Sequence, residues 1–202
     1  AAAALAALKG LAVDHGSYQC ITTVEALDAF IAAAREAGVV ALDTETTSLD
    51  AMSADLVGFS LAYAPGKACY VPLAHKAGEA GLFDSGLVEG QLPMGEALDR
   101  LKALAADPGV LKVGQNLKYD LLVLARHGIA IAPYDDTMLI SYALDAGRGT
   151  HGMDALSERH LGHQPISFDT VTGTGKNRIT FDRVPLDRAT AYAAEDADVT
   201  FR

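Results

Sequence analysis

The sequence is short of positive charge. Its 202 residues include 16 lysines and arginines against 26 aspartates and glutamates, which gives a formal net charge of −10. Neutralisation of phosphates drives the binding of duplex DNA, so we do not expect a large basic face that grips a duplex. The acidity leaves open an enzyme that holds a few nucleotides at one strand end, because bound divalent cations would invert the local field.

Cysteines and long apolar runs are also scarce. Cys20 and Cys69 have no paired spacing, which favours free thiols in a reducing cytosol. No stretch approaches the roughly 20 apolar residues of a membrane span. The alanine-rich start lacks the basic region of a signal peptide and predicts a short helix or an ordered tail. We therefore expect a soluble, cytoplasmic protein, with residues 1–17 as an N-terminal arm or linker and residues 18–202 as one globular domain.

Apolar periodicity and turn residues predict alternating helices and strands. Strands are predicted over residues 39–42, 56–64, 68–73, 110–113 and 129–132. Helices are predicted over residues 25–37, 93–106, 137–144, 153–161 and 185–202, with one more that ends near residue 127. Residues 74–91 and 162–185 are predicted to be irregular, and Asp136 is assigned to helix capping rather than to metal binding. An early antiparallel meander followed by strand–helix alternation indicates an α/β fold with a mixed sheet flanked by helices.

The segment VVALDTETTSLD, residues 39–50, contains the most informative pair of acids. Strand side chains alternate between faces, so Asp43 and Glu45 point the same way at the end of an apolar strand. Two adjacent carboxylates repel each other unless a cation compensates them, and oxygen ligands suit Mg²⁺ or Mn²⁺. Two solvated acids beyond the end of the strand are the alternative.

Two further acids occupy helices. Asp120 lies in GQNLKYD, and Asp196 lies in YAAEDAD, four residues after Tyr192. Residues four apart share a helix face, so the Tyr192 hydroxyl and the Asp196 carboxylate are expected to project together. Glu195 and Asp198 are rotated away from that face and are expected to be solvated. Each helical acid taken alone would more often simply face water.

Three blocks occur in a fixed order: LDTETTSLD, VGQNLKYD and YAAEDADVT, with DDTMLISYAL and GTGKNRITF between the second and the third. With these blocks, residues 18–202 resemble the proofreading 3′–5′ exonuclease domain of bacterial DNA polymerase I. The Tyr-x-x-x-Asp form of the last block is typical of the tyrosine-type branch of the four-carboxylate exonucleases. The resemblance implies a ribonuclease H-like fold.

The resemblance also implies an active site. Two divalent cations would be bound, Mg²⁺ or Mn²⁺ with Zn²⁺ as an alternative in one site, and the implied ligands are Asp43, Glu45, Asp120 and Asp196. Asp43 would bridge the two cations, and Tyr192 would orient the attacking water. Such a pair of cations activates water and stabilises both oxygens of an in-line displacement. The expected product is a nucleoside 5′-monophosphate released from a 3′ end.

Leu49 and Phe168 match positions that contact the terminal bases in the family, and Gln115, Asn116 and Tyr119 match positions near the substrate. The expected phosphate contacts are the loop residues Arg148, Lys176 and Arg178. An apolar wedge and an aromatic platform, Leu49 and Phe168, would favour unstacked single-stranded ends. Core packing is the alternative for both of these residues. Asn116 could equally be a helix cap, and the basic residues could be solvated loop charges.

The expected partners follow from the same resemblance. They are a single-stranded or frayed DNA 3′ end, the nucleoside monophosphate product and a polymerase domain in the same parent chain, with no membrane. Two other functions remain open at this point. A ribonuclease D-like enzyme would trim RNA 3′ ends with the same set of acids, and a non-catalytic domain would serve only as a polymerase scaffold.

Overall fold

The computed structural model describes residues 11–77 and 86–202. A six-stranded sheet runs through it in the order β1-β4-β3-β2-β5-β6. The strands are β1 (Gln19–Cys20), β2 (Val39–Thr46), β3 (Leu56–Ala64), β4 (Lys67–Pro72), β5 (Leu111–Gly114) and β6 (Tyr134–Asp136). Strands β2, β3 and β4 form an antiparallel meander, whereas β1 is parallel to β4 and the β2–β5–β6 half is parallel. The predicted α/β fold with a mixed sheet is confirmed.

Helices flank both faces of this sheet. In the described part of the chain they are α1 (Val24–Ala37), α2 (Met94–Ala105), α3 (Lys118–Ala125), α4 (Thr137–Leu144), α5 (Met153–Leu161), α6 (Phe168–Thr172) and α7 (Leu186–Phe201). The first of them ends at the predicted residue and begins one residue before the predicted start. The Thr23 hydroxyl accepts a hydrogen bond from the Ala26 amide at 3.3 Å, and Gly38 ends the helix in a left-handed conformation with φ 71°.

Strand β2 separates two apolar layers. Val40 and Leu42 pack in a cluster with buried residues of α1, α2 and α3. Ala41, on the opposite face, packs with Ala194 and Ala197 of α7. Because side chains alternate along a strand, Asp43 and Glu45 continue the row of Ala41 and face the α7 layer. The sheet therefore delivers both acids to the side on which the last helix lies.

The predicted strand over residues 129–132 is wrong. Ile129 and Ile131 are buried, as their hydrophobicity required, but they do not belong to a ladder. The Ile129 amide donates to the Leu124 carbonyl at the end of α3, and the Ala132 amide donates to the Ala105 carbonyl at the end of α2. These backbone groups satisfy helix ends, so strand pairing begins only at β6.

Other differences lie in connecting segments. The predicted loop over residues 162–185 contains α6 and single 3₁₀ turns at Gly175–Asn177 and Phe181–Arg183. Of the irregular stretch 74–91, residues 78–85 lie outside the described part, as does most of the predicted N-terminal helix or tail. Strand β1 was not predicted, because two residues carry no periodicity. No helix within residues 11–77 and 86–202 is both long and apolar enough to cross a membrane.

His75 is a buried imidazole whose hydrogen bonds define its tautomer. Its Nδ1 lies 3.0 Å from the Val184 carbonyl oxygen, which can only accept, so Nδ1 carries the proton. Its Nε2 therefore accepts from the Tyr70 hydroxyl at 2.8 Å. Burial lowers the pKa of His75 to about 4. The ring is held in its neutral form in the folded protein.

We expect this histidine to make folding stability dependent on pH. An unfolded histidine titrates near pH 6.5, so between that value and about 4 the unfolded chain binds the extra proton. The contribution of His75 to the free energy of unfolding is present above pH 6.5 and is lost as the pH falls towards 4. The total loss is roughly 3 kcal/mol. Urea unfolding from pH 7 to 4 measures it against His75→Gln, which should show a shallower decline. Parallel declines in the two proteins would contradict the assignment.

Candidate active site

Three carboxylates meet where β2 ends. Ligand oxygens of Asp43, Glu45 and Asp196 all lie within 4.8 Å of one another. The first two come from β2 and face the α7 layer, and the third comes from the middle of α7. Glu45 and Asp196 are only 6% and 5% exposed. Asp43 and Glu45 both lie within β2, so the alternative that they are two solvated acids beyond the end of the strand is wrong.

The electrostatics of this cluster are unfavourable without a cation. Burial raises the pKa of all three carboxyl groups, and for Asp43 and Glu45 the charges of neighbouring carboxylates add to the effect. Glu45 Oε1 and Asp196 Oδ1 are buried and have no hydrogen-bond partner among residues 11–77 and 86–202. Orphaned anionic oxygens cost free energy unless a cation or a proton compensates them. An all-oxygen set of this kind fits a hard divalent cation.

Asp120 approaches the same cluster from the opposite layer. It lies in the first turn of α3, and its Oδ1 accepts from the backbone amide of Thr44 at 2.9 Å and from the Thr44 hydroxyl. Burial raises the pKa of Asp120 to about 7, while the Thr44 donors oppose that rise. The Asp120 charge in turn raises the pKa of Asp43, so the two acids are neighbours.

Thr44 was not identified from the sequence. Alternation along β2 turns it away from Asp43 and Glu45, so it looked like a spacer. Its available signal was a hydroxyl between two acids in a strand that is otherwise apolar. In the structure its amide and its hydroxyl both bond to Asp120 Oδ1. Thr44 thus links the acid of one helical layer to the strand that carries the others.

Tyr192 lies one helical turn before Asp196, and its hydroxyl is near enough to the Asp196 carboxyl group for each to affect the pKa of the other. Burial, followed by the charges of Asp196, Glu45 and Asp43, raises the pKa of this phenol far above its ordinary value. The group therefore keeps its proton. It cannot act as a base at neutral pH.

The acids open into a cavity of about 840 Å³. Eleven of the thirteen predicted site residues line it: Asp43, Glu45, Leu49, Gln115, Asn116, Tyr119, Asp120, Phe168, Arg178, Tyr192 and Asp196. The volume is of the size of a small-molecule pocket. Residues from β2, the β5–α3 turn, α3, α6 and α7 thus converge on one cavity.

Two apolar side chains at its mouth have the exposure that a binding role needs. Leu49 is 96% exposed, which rules out core packing for this residue. Phe168 is 40% exposed and stacks on Phe181 with ring centroids 6.2 Å apart. The guanidinium of Arg178 lies 5.7 Å from the Phe168 ring centroid and also pairs with Asp169. The Phe168 ring therefore presents an aromatic face beside the positively charged guanidinium of Arg178.

The β5–α3 turn supplies the polar wall. Gln115 donates from Nε2 to the His151 carbonyl at 2.9 Å. Asn116 has a left-handed backbone with φ 60°, and the helix begins after Leu117 without a side-chain cap, so Asn116 is not the helix cap. The Tyr119 hydroxyl donates to the Ser48 carbonyl and contacts the Thr46 hydroxyl. Thr46 also lines the cavity and was not identified from the sequence.

Arg148 and Lys176 do not line the cavity. The Arg148 side chain is 83% exposed, and its guanidinium lies 3.9 Å from Asp145. Lys176 is exposed within a 3₁₀ turn. The structure therefore does not bring these two residues together with the acids, and solvated loop charge describes their positions.

The prediction that Glu195 and Asp198 are solvated is wrong. Both are fully buried, because the N-terminal segment and the loop after α5 cover the far side of α7. Glu195 Oε1 lies 2.7 Å from His15 Nε2 and 2.8 Å from His163 Nε2. Asp198 accepts from the Tyr18 hydroxyl at 2.8 Å and forms an ion pair with Arg202.

Residues 18–202 match a protein family described as 3′–5′ exonuclease. A DNA polymerase I of Rhizobium leguminosarum is 58% identical over 201 residues, which is 95% of this chain and 20% of that protein. A DNA polymerase I of Pseudomonas aeruginosa is 44% identical over 188 residues, which is 92% of this chain and 20% of that protein. The chain thus spans about a fifth of the length of these relatives.

The fold is shared with solved nucleases. Ribonuclease D of Escherichia coli, an exoribonuclease involved in structured RNA processing, superposes with a TM-score of 0.61 at 22% identity. The superposition covers 91% of this chain and 42% of that one. At this level of identity the similarity concerns the fold alone.

Proposed function

Because this chain belongs to the 3′–5′ exonuclease family, we propose that it removes nucleotides from DNA 3′ ends as the proofreading domain of a DNA polymerase I. The two relatives named above support DNA as the substrate, since both are DNA polymerases I. In this proposal residues 18–202 are the nuclease domain, residues 1–17 are an arm or linker, and a polymerase domain in the parent chain hands over the strand end in the cytoplasm.

One observation carries the proposal. Carboxylate oxygens from β2 and α7 lie within 4.8 Å of one another, and two of them are buried without a partner. A scaffold that had lost its chemistry would have no need to keep this electrostatic cost. The three acids line a cavity that also has an apolar wedge and an aromatic face, which suits a splayed single-stranded end.

The residues that would hold two divalent cations, Mg²⁺ or Mn²⁺, are Asp43, Glu45, Asp120 and Asp196. When bound, such cations lower the pKa of a water molecule and neutralise charge that develops on the phosphate oxygens. Asp120 would bind through Oδ2, because both Thr44 donors bond to Oδ1. The family resemblance implies that Asp43 would be a ligand of both cations.

Tyr192 would position the attacking water rather than deprotonate it. Its hydroxyl keeps its proton and lies near the Asp196 carboxyl group, beside the cluster. The hydroxyl oxygen then remains available to accept a hydrogen bond from water. Leu49 and Phe168 would hold the terminal bases, and Arg178 would contact phosphate. The reaction breaks the last 3′ phosphodiester bond and releases a nucleoside 5′-monophosphate.

A comparison of 3′-end substrates tests the proposal. Purified protein is incubated with a paired primer, a 3′-mismatched primer and a matched RNA, each with Mg²⁺, with Mn²⁺ and with a chelator. We expect stepwise shortening of DNA only with metal. The mismatched end should be shortened roughly tenfold faster, because it has lost about 1.4 kcal/mol of terminal stacking and pairing.

The same experiment separates the alternatives. The fold shared with ribonuclease D keeps RNA trimming as the second candidate, and faster shortening of RNA than of DNA would establish it. If folded protein released no nucleotide from either substrate with either metal, a scaffold role would replace catalysis.

A further inference from the structure

One buried carboxylate connects the beginnings of two helices. Asp136 Oδ1 accepts from the amides of Met138 at 2.9 Å and Leu139 at 3.3 Å, which begin α4. The same oxygen accepts from the Asn116 amide at 3.2 Å, and Oδ2 accepts from the Leu117 amide at 2.8 Å. Asp136 thus caps its own helix, as the sequence predicted, and also caps α3 from a distant position in the chain.

Helix α3 needs this external cap. The first amides of a helix lack partners within the helix and require another acceptor. Leu117 precedes α3 and provides no side-chain oxygen, and Asn116 before it holds a left-handed backbone that is strained outside glycine. The Asp136 carboxylate satisfies the amides of both residues. The strained turn is therefore fixed by a residue that lies on another strand.

Asp120 is three residues past Leu117, in the first turn of α3. Its Oδ1 accepts from both Thr44 donors, and Thr44 lies between Asp43 and Glu45 on β2. The turn is also pressed against β5, since a Cβ on Gly114 would come within 3.1 Å of the Leu117 Cβ. A change in how α3 begins therefore moves the Asp120 carboxyl group directly.

We propose that Asp136 is a positioning residue of the metal site, which sets the place of Asp120 by capping the first turn of α3 in trans. This inference rests on the proposed function of the carboxylate cluster. Asp136 is not itself a ligand, because amide hydrogens occupy both of its oxygens. Its action passes through Asp120 alone and is measurable as metal affinity.

Calorimetric titration with Mn²⁺ tests the proposal on Asp136→Ala and Asp136→Asn. We expect the alanine variant to bind Mn²⁺ roughly 10–100-fold more weakly, as is typical when a residue that orients a ligand is lost. The asparagine variant keeps one acceptor oxygen and should lose less, about fivefold. If the alanine variant fails to fold, the Mn²⁺ affinity of the asparagine variant alone tests whether Asp136 positions Asp120. Asp135→Asn is the matched control, because Asp135 is exposed and the change removes the same charge one residue away.

A double variant distinguishes positioning of Asp120 by Asp136 from a general effect of Asp136 on the stability of the fold. In Asp120→Ala protein, the further change Asp136→Asn should alter Mn²⁺ affinity by less than twofold, since there is no carboxylate left to position. An undiminished second effect would overturn the proposal, as would wild-type affinity in folded Asp136→Ala. Nucleotide release is assayed separately. If the wild-type protein releases no nucleotide, the proposed function is refuted. The Mn²⁺ titration still decides the role of Asp136 in that case.

Discussion

Replacing Asp43 with alanine is expected to lower the rate of nucleotide release by about 10³-fold or more. Loss of one group that stabilises transition-state charge already costs 10²–10³-fold, and the proposed mechanism assigns Asp43 to both cations. The measurement is single-turnover release from a 3′-mismatched primer in saturating Mg²⁺. Asp55→Ala is the matched control, because Asp55 is an exposed carboxylate at the start of β3 and should leave the rate unchanged.

The same substitution should make the metal-free protein more stable. Asp43, Glu45 and Asp196 repel one another when no cation is bound, so removing one carboxylate relieves the repulsion. Thermal melting in a chelator should therefore occur at a higher temperature for Asp43→Ala than for the wild type. Added Mn²⁺ should raise the midpoint of the wild type much more than that of the variant. If folded Asp43→Ala protein released nucleotides at the wild-type rate, the assignment of the active site would be wrong.

Replacing Gly58 with alanine is expected to destabilise the fold by about 3 kcal/mol. Gly58 lies opposite Glu45 in the β2–β3 ladder. A Cβ at this position would lie 2.6 Å from the Val71 carbonyl oxygen and 2.6 Å from the Tyr70 ring, and the Tyr70 side chain is fully buried. Since backbone cannot rotate away as a flexible side chain can, β3 and β4 must separate. For a domain of this size the melting midpoint should fall by roughly 6–12 °C.

Gly95→Ala is the control for this substitution. Gly95 is an exposed residue of α2 with open space around its Cα, so alanine should stabilise the helix by roughly 0.5–1 kcal/mol. Guanidinium unfolding of both variants measures the contrast. Nucleotide release by Gly58→Ala should fall as well, because the displaced ladder carries Glu45. Equal unfolding free energies for the two variants would show that β3 and β4 accommodate the extra methyl group.

Periodicity was sufficient where one element carries the pattern. Alternation along β2 predicted that Asp43 and Glu45 share a face, and the four-residue spacing predicted that Tyr192 and Asp196 project together. Both rules act within a single strand or helix, so no knowledge of the packing was needed. The mixed sheet followed from the same local signals. Which of these residues are essential for catalysis stays a prediction until the variants are measured.

Contacts between distant segments could not be predicted in this way. Glu195 and Asp198 were expected in solvent because a helix usually has one wet face, yet α7 is enclosed on nearly all sides. Their partners His15, Tyr18 and His163 lie far away in sequence. Isoleucines before β6 gave the wrong strand, because hydrophobicity reports burial and not backbone pairing. The trans cap by Asp136 likewise depends on the parallel alignment of β5 and β6.

The position of the acids between two layers has a consequence for the lifetime of the protein. Asp120 belongs to the α1–α2–α3 layer and Asp196 to the α7 layer, so cations held by this set of acids would join the two layers across the sheet. Amide hydrogens of α3 and α7 should then exchange with solvent as one cooperative unit in Mn²⁺ and as two independent units in a chelator. When divalent cations are depleted, the protein should therefore be inactive and also more readily cleaved by proteases.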